Sequence, residues 1–207
     1  MRTLAAYLTC CCLVFLSCSE SRVVRRVHEA RADQRALYEV YAALLADLED
    51  SRLNWKIRYL IMDTTLSAKD LDGDPDSPCH FFAGNHPASF QQMKADYEAR
   101  KDHRIHLERN FRLAKPYNLI SEAEANAFRR WDRSTEYRDA RGRAKFLIQL
   151  TDVFFDNDKK FAMVYMSTRC GALCGEFGWY ILERLPNGKW QMAWKTDLRD
   201  GCGGAIA

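Results

Sequence analysis

The stretch Phe146-Leu147-Ile148-Gln149-Leu150-Thr151-Asp152-Val153-Phe154-Phe155, with the later runs Phe161–Thr168, Phe177–Arg184 and Lys189–Lys195, decides how this chain is read. Each run has strand length, is rich in aromatic and β-branched residues, and ends at a turn signal. In the last hairpin, Pro186-Asn187-Gly188 offers the positive-φ residues a tight turn needs. Trp190, Met192 and Trp194 then alternate with Lys189, Gln191 and Lys195 as on a half-buried strand. The four runs predict an antiparallel meander. Ala162-Met163-Val164-Tyr165-Met166 is apolar at every position, so other elements must cover the second side of that sheet.

Upstream of the meander the periodicity is helical. Residues 21–50 read as one helix, with Leu37, Tyr38, Tyr41, Leu44, Leu45 and Leu48 on a stripe. Trp55–Met62 is short, apolar and β-branched, and fits either a strand or a continuation of that helix. A second helix opens at Ser89, where Ser89 and Gln92 have capping-box spacing. It places Phe90, Met93 and Tyr97 at helical intervals, extends to about Phe111, and is closed off by Lys115-Pro116. Ser121-Glu122-Ala123-Glu124 caps a third, with Ala127, Phe128 and Trp131 inward, and Tyr137–Arg143 is a polar linker. Helices first and strands after them predict an α+β fold: N-terminal helices packed on one face of a C-terminal four-stranded antiparallel meander.

At 207 residues, 47% of them hydrophobic, the chain is large enough for one self-sufficient core. Arg2 followed by the apolar run Leu4–Leu16 has the layout of a secretory signal and is too short to span a bilayer. Ser17-Cys18 after that run resembles the lipobox of bacterial lipoproteins, whose cysteine becomes the lipidated first residue. The expected organisation is residues 1–17 as a lipoprotein-type signal peptide, 18–36 as a basic tether and helix start, and 37–207 as a single α+β domain. Losing Arg2 lowers the net charge from +3 to +2, a balance that does not call for nucleic acid. Arg22, Arg25, Arg26, Arg31 and Arg35 suggest a collar attracted to anionic lipid, each cation adding ~1 kcal/mol near such a surface. Glu29 and Asp33 interrupt the run, which favours a solvated tether.

Three constellations carry chemistry. Asp70, Asp72, Asp74 and Asp76 alternate in a turn-rich stretch, as hard ligands for calcium would, but Pro75 stands where the loop needs glycine and Phe81 where it needs a bidentate glutamate. An acidic surface loop is the simpler reading. Cys79, His80 and His86 form a partial zinc set with no short-spaced fourth ligand, while His103 and His106 lie three apart on the expected helix. No metal or cofactor is therefore expected.

The third is Cys170-Gly171-Ala172-Leu173-Cys174-Gly175-Glu176. In an exported chain Cys79, Cys170, Cys174 and Cys202 are disulfide candidates, an even set once Cys18 is lipidated. About the Asn187 pivot, continued pairing would bring Cys202 opposite Ala172, within the ~4.4–6.8 Å reach of Cys170 or Cys174, leaving the other for Cys79. Cys170–Cys174 with Cys79–Cys202 is the rival connectivity. The catalytic alternative uses a thiol of this loop with His80 or His86 as base. Glu176, Trp179 and Tyr165 are the candidate ligand-facing residues.

Ala162–Ser167, Cys170–Glu176, Trp179–Glu183 and Asn187–Trp190 resemble the C-terminal signature of a group of uncharacterised secreted bacterial proteins and lipoproteins, with Leu119-Ile120-Ser121 and Phe128 resembling its preceding helix region. The resemblance implies export and no particular activity. The Asn187-Gly188-Lys189-Trp190 ending also looks like the close of nuclear-transport-factor-like α+β cones, which often hold small ligands. The expectation is a lipid-anchored envelope protein, periplasmic or surface-exposed, with a non-catalytic binding or structural role. Its membrane contact runs through the N-terminal lipid, and a protein or small-molecule partner is left open. The alternatives are a secreted thiol-dependent enzyme and a ligand-binding cone.

Overall fold

The computed structural model describes residues 32–47, 57–71, 75–76, 79–130, 144–171, 174–193 and 204–206. The chain divides into two units, Met1–Leu37 and Tyr38–Ala207. In the first, residues 32–37 are helical. The second begins with helical residues 38–47 (α1). It continues through β1 (Ile57–Met62), a short 3-10 turn (Ala68–Asp70), α2 (His80–Asn85), α3 (Pro87–Arg100), β2 (Tyr117–Ile120) and α4 (Glu122–Arg130). Then come β3 (Ala144–Leu150), β4 (Phe154–Phe155), β5 (Phe161–Gly171), β6 (Cys174–Arg184), β7 (Trp190–Met192) and β8 (Gly204–Ile206). The expected signal segment, Cys18, the Tyr137–Arg143 linker and Cys202 lie outside the described residues.

The fold is α+β, but the sheet is not a four-stranded antiparallel meander. It is one mixed sheet in the order β2-β1-β3-β5-β6-β7, with β4 added to β5 and β8 to β6. The strands β2 and β3 flank β1 and run parallel to it, with Tyr59 facing Tyr117 on one side and Phe146 on the other. The remaining pairings are antiparallel. Parallel neighbours need crossovers, and α2 with α3, then α4, supply them. The ambiguous segment before Met62 is thus a strand, and it lies inside the sheet.

Helices also cover both faces. The register places Leu147, Gln149, Tyr165, Met163, Phe161, Trp179 and Ile181 on one face. There Phe82 of α2 and Phe90, Met93 and Tyr97 of α3 join Phe154, Phe161, Met163, Tyr165, Trp179 and Ile181 in one core. The helix α4 contributes Ala125 to a smaller cluster with Met62 and Leu147. The opposite face carries Ile148, Leu150, Met166, Val164, Ala162 and Leu182, all buried. Across it runs α1, with Val40, Tyr41, Leu44 and Leu45 buried and the Tyr41 hydroxyl donating to the Thr151 carbonyl at 2.6 Å. Burying apolar side chains on both sides explains why β5 is apolar at successive positions.

Three boundaries differ from the sequence reading. The run through Phe155 splits into β3 and β4 because the Val153 N–H is taken by the Asp152 carboxylate at 2.7 Å. The helix expected from Ser89 to Phe111 starts earlier, with Pro87 at its first position, where the missing N–H costs nothing. It stops at Arg100 because the following segment bonds to the end of β1 instead: Thr65 N–H donates to the Ile105 carbonyl at 2.9 Å and Leu107 N–H to that of Asp63 at 2.6 Å. At the hairpin, Gly188 alone has positive φ, at 80°, and its N–H donates to the Leu185 carbonyl. The turn therefore needs one left-handed residue rather than two.

Candidate functional site

Among the described residues, a densely connected polar centre lies where α3 ends against the β3–β4 junction. Arg100 and Asp96 are one helical turn apart, and the guanidinium donates from Nε to Asp96 Oδ1 at 2.7 Å and from Nη2 to the other oxygen. The same group reaches the sheet, donating from Nη1 to Asp152 Oδ2 and from Nη2 to the Val153 carbonyl at 2.7 Å. Asp96 also accepts from the Phe155 N–H at 2.9 Å. A planar fork with several donors can satisfy two carboxylates and a carbonyl together, which an ammonium could not do in this geometry.

Two carboxylates share one guanidinium, and the electrostatics reflect that. Asp152 is 2% exposed, and burial pushes its carboxyl above the ordinary value of 3.8, against the opposing pull of Arg100 and the Val153 N–H. Burial also works against the Arg100 cation, but the Asp96 hydrogen bond and the Asp152 charge outweigh it and raise its pKa.

The adjacent residue, Thr151, ties in the opposite helix. Its carbonyl accepts from Tyr41, its hydroxyl donates to the Asp152 carbonyl at 2.9 Å, and that hydroxyl accepts the Tyr165 N–H at 3.0 Å. Burial drives the Tyr41 phenol well above its ordinary value, so it stays a neutral donor. Thr151-Asp152 is therefore a two-residue staple between α1 on one face and α3 on the other. The sequence reading missed Asp96, Arg100 and Asp152; the only local signal was the i,i+4 Asp96/Arg100 spacing on a helix.

Beside the ion cluster stands an aromatic group. Trp179 and Tyr165 are direct cross-strand partners with ring centroids 5.6 Å apart at 72°. Tyr97 meets Trp179 edge-on at 5.5 Å and Phe154 at 5.3 Å, and the Arg100 guanidinium lies 5.4 Å from the Phe154 centroid. The Trp179 indole nitrogen has no hydrogen-bond partner among the described residues. Of the three ligand-facing candidates, Tyr165 and Trp179 are thus brought together as core side chains. Glu176 is paired with Thr168 on the other face of the sheet and does not join them.

Cys79 caps the start of α2, almost wholly buried, and Cys170 sits at the register shift near the end of β5. Both are disulfide-bonded. Cys174 begins β6 opposite Gly171. The pivot argument for Cys202 does not hold, because β8 leaves the hairpin register: Phe177 faces Gly204, where that register would have put Asp197, a displacement of seven residues. Close approach at the base of this loop requires Gly175, since a Cβ there would lie 2.6 Å from the Thr168 carbonyl oxygen.

The histidines are dispersed. His86 stacks against Phe82 and Phe161, His80 is exposed, and His103 and His106 lie beyond the end of α3, His106 in a bridge with Thr64. In the acidic loop, Asp76 is paired with Lys94 of α3. Among the described residues no group of three or more His, Cys, Asp or Glu side chains could hold a metal ion, and no helix is long and apolar enough to cross a membrane.

No protein-family model, curated protein or solved structure matches the chain.

Proposed function

We propose that the protein is an exported, lipid-tethered bacterial envelope protein whose α+β domain has a binding or structural role rather than a catalytic one. The observation that carries this reading is the bonded state of Cys79 and Cys170, since disulfides form and persist outside the reducing cytosol. The basic-then-apolar leader ending in Ser17-Cys18 supports it independently. On this reading Cys79, Cys170, Cys174 and Cys202 are all consumed in two disulfides, and Cys18 carries the lipid that holds the chain to the membrane.

The non-catalytic part follows from where the charged groups go. The buried carboxylate Asp152 and its neighbour Asp96 are spent on Arg100, and together they hold a helix to the sheet. A general acid or base needs its reacting atom within reach of substrate, whereas the Asp152 carboxylate is buried and Asp96 is held through both oxygens by Arg100. Mass spectrometry of the mature N-terminus tests the reading. It predicts a chain beginning at Cys18 with the added mass of diacylglycerol, and a chain retaining Met1 or cleaved elsewhere without lipid would overturn it.

A further inference from the structure

We infer that the segment from Leu107 to Lys115 is a docking surface for an anionic lipid bilayer, an inference that rests on the lipid anchor proposed above. The segment is a fixed strap. Its backbone is bonded to the end of β1 through Leu107, and Leu107 and Phe111 are buried beneath it. Between and beyond these two anchors, Arg109 and Arg112 are exposed and Lys115 partly so.

Two of the acids nearby are paired with other cations, and the third, Glu108, lies in the strap itself. Glu122 takes Arg104 at 3.0 Å, Glu98 takes Lys101 at 2.6 Å, and Glu108 accepts from the Asn110 side chain at 2.9 Å. The Arg109 guanidinium lies 6.0 Å from the Tyr117 ring centroid, and Arg112 and Lys115 have no acidic partner among the described residues. Three cations against one carboxylate, Glu108, leave the strap with a net positive charge on a fixed support, which suits a flat, negatively charged surface more than a single small anion.

The place where the chain enters the domain selects the occupant. Tyr38 is the first residue of this unit, its hydroxyl accepts the Glu108 N–H at 2.6 Å, and its ring meets Phe111 edge-on at 5.1 Å. Tyr38, where this unit begins, is therefore packed on the segment that carries the three cations. A membrane that holds Cys18 is then the anionic surface at the highest local concentration.

The test uses full-length protein, wild type and the triple variant Arg109→Gln/Arg112→Gln/Lys115→Gln, titrated with vesicles of phosphatidylcholine alone and of phosphatidylcholine mixed with phosphatidylglycerol. The ratio of the two affinities isolates surface charge from the hydrophobic anchor. Each cation near an anionic surface is worth about fivefold, so the triple variant should lose about a hundredfold of that ratio with an unchanged thermal midpoint. An unchanged ratio overturns the docking surface, as does full competition by inorganic phosphate at matched ionic strength. Loss confined to binding of a duplex oligonucleotide also overturns it. An N-terminus without lipid, with the ratio still charge-dependent, overturns the anchor reading alone.

Discussion

Arg100 and Asp152, 52 residues apart in sequence, meet guanidinium to carboxylate, and Asp152 directly follows the threonine whose carbonyl takes the Tyr41 hydroxyl. One dipeptide at the end of a strand thus receives a helix from each side of the sheet. Each helix reaches the end of β3 through a polar contact to a buried group in addition to its apolar stripe, and such a contact left half-made is costly.

Removing the cation alone leaves Asp152 buried and uncompensated. Arg100→Met is expected to destabilise the domain by about 3 kcal/mol in urea denaturation, while Asp152→Asn, which keeps shape and removes charge, costs about 1 kcal/mol. The double variant should be more stable than Arg100→Met by itself. Strict additivity in the cycle would show that the two groups do not interact.

The acid limb of the stability curve carries two opposite signatures. Asp152 has a folded-state pKa raised above 3.8, so the native state binds its proton first and stability from this group rises as pH falls through the folded value. Wild type should therefore gain on Asp152→Asn as the pH is lowered from neutrality towards about 4. Glu124 runs the other way: the hydrogen bonds from the Ser121 N–H and hydroxyl lower its pKa below 4.5. Its contribution is present above the unfolded value and is lost as pH falls through the folded one, so wild type should lose its advantage over Glu124→Gln in acid. Stability measured at matched pH for the three proteins checks both slopes.

Tyr41→Phe deletes one hydroxyl and leaves the Thr151 carbonyl without that donor in a buried site. A loss of about 1–2 kcal/mol is expected, with the denaturant slope unchanged. A neutral result would mean that α1 is held by its apolar stripe alone.

Two glycines should respond in opposite directions to alanine. At Gly175 the new Cβ would press on the Thr168 carbonyl in the neighbouring strand, and a cost of about 1–3 kcal/mol is expected. At Gly84 in α2 a Cβ meets nothing within 4 Å, so Gly84→Ala should stabilise by about 0.5–1 kcal/mol through helix propensity and a less free unfolded chain. Thermal midpoints of the two variants decide it.

The part of the fold legible from the residues is the part built from local signals. Strands β5 and β6 and the hairpin into β7 show as alternating or continuous apolar runs with a Gly188 turn between them. The capping box at α4 is present, with Ser121 N–H donating to Glu124 and Glu124 N–H to the Ser121 hydroxyl. What escaped is non-local. The strand β2 is only Tyr117-Asn118-Leu119-Ile120, all half-buried, and nothing within four residues announces a parallel partner such as β1. The end of α3 was misplaced because backbone bonds to Thr65 and Asp63 compete with helix continuation, and those partners lie some forty residues earlier. Asp152 was invisible as a site for the same reason: its partner is on a helix, and only the folded register brings the two together.

The most direct test of the central functional claim is thiol titration of the folded, unreduced protein recovered after export, repeated in denaturant to expose buried sulfur. Export with two disulfides predicts no titratable thiol at Cys79, Cys170, Cys174 or Cys202 under either condition. Stoichiometric free thiol at Cys79 or Cys170 would contradict it.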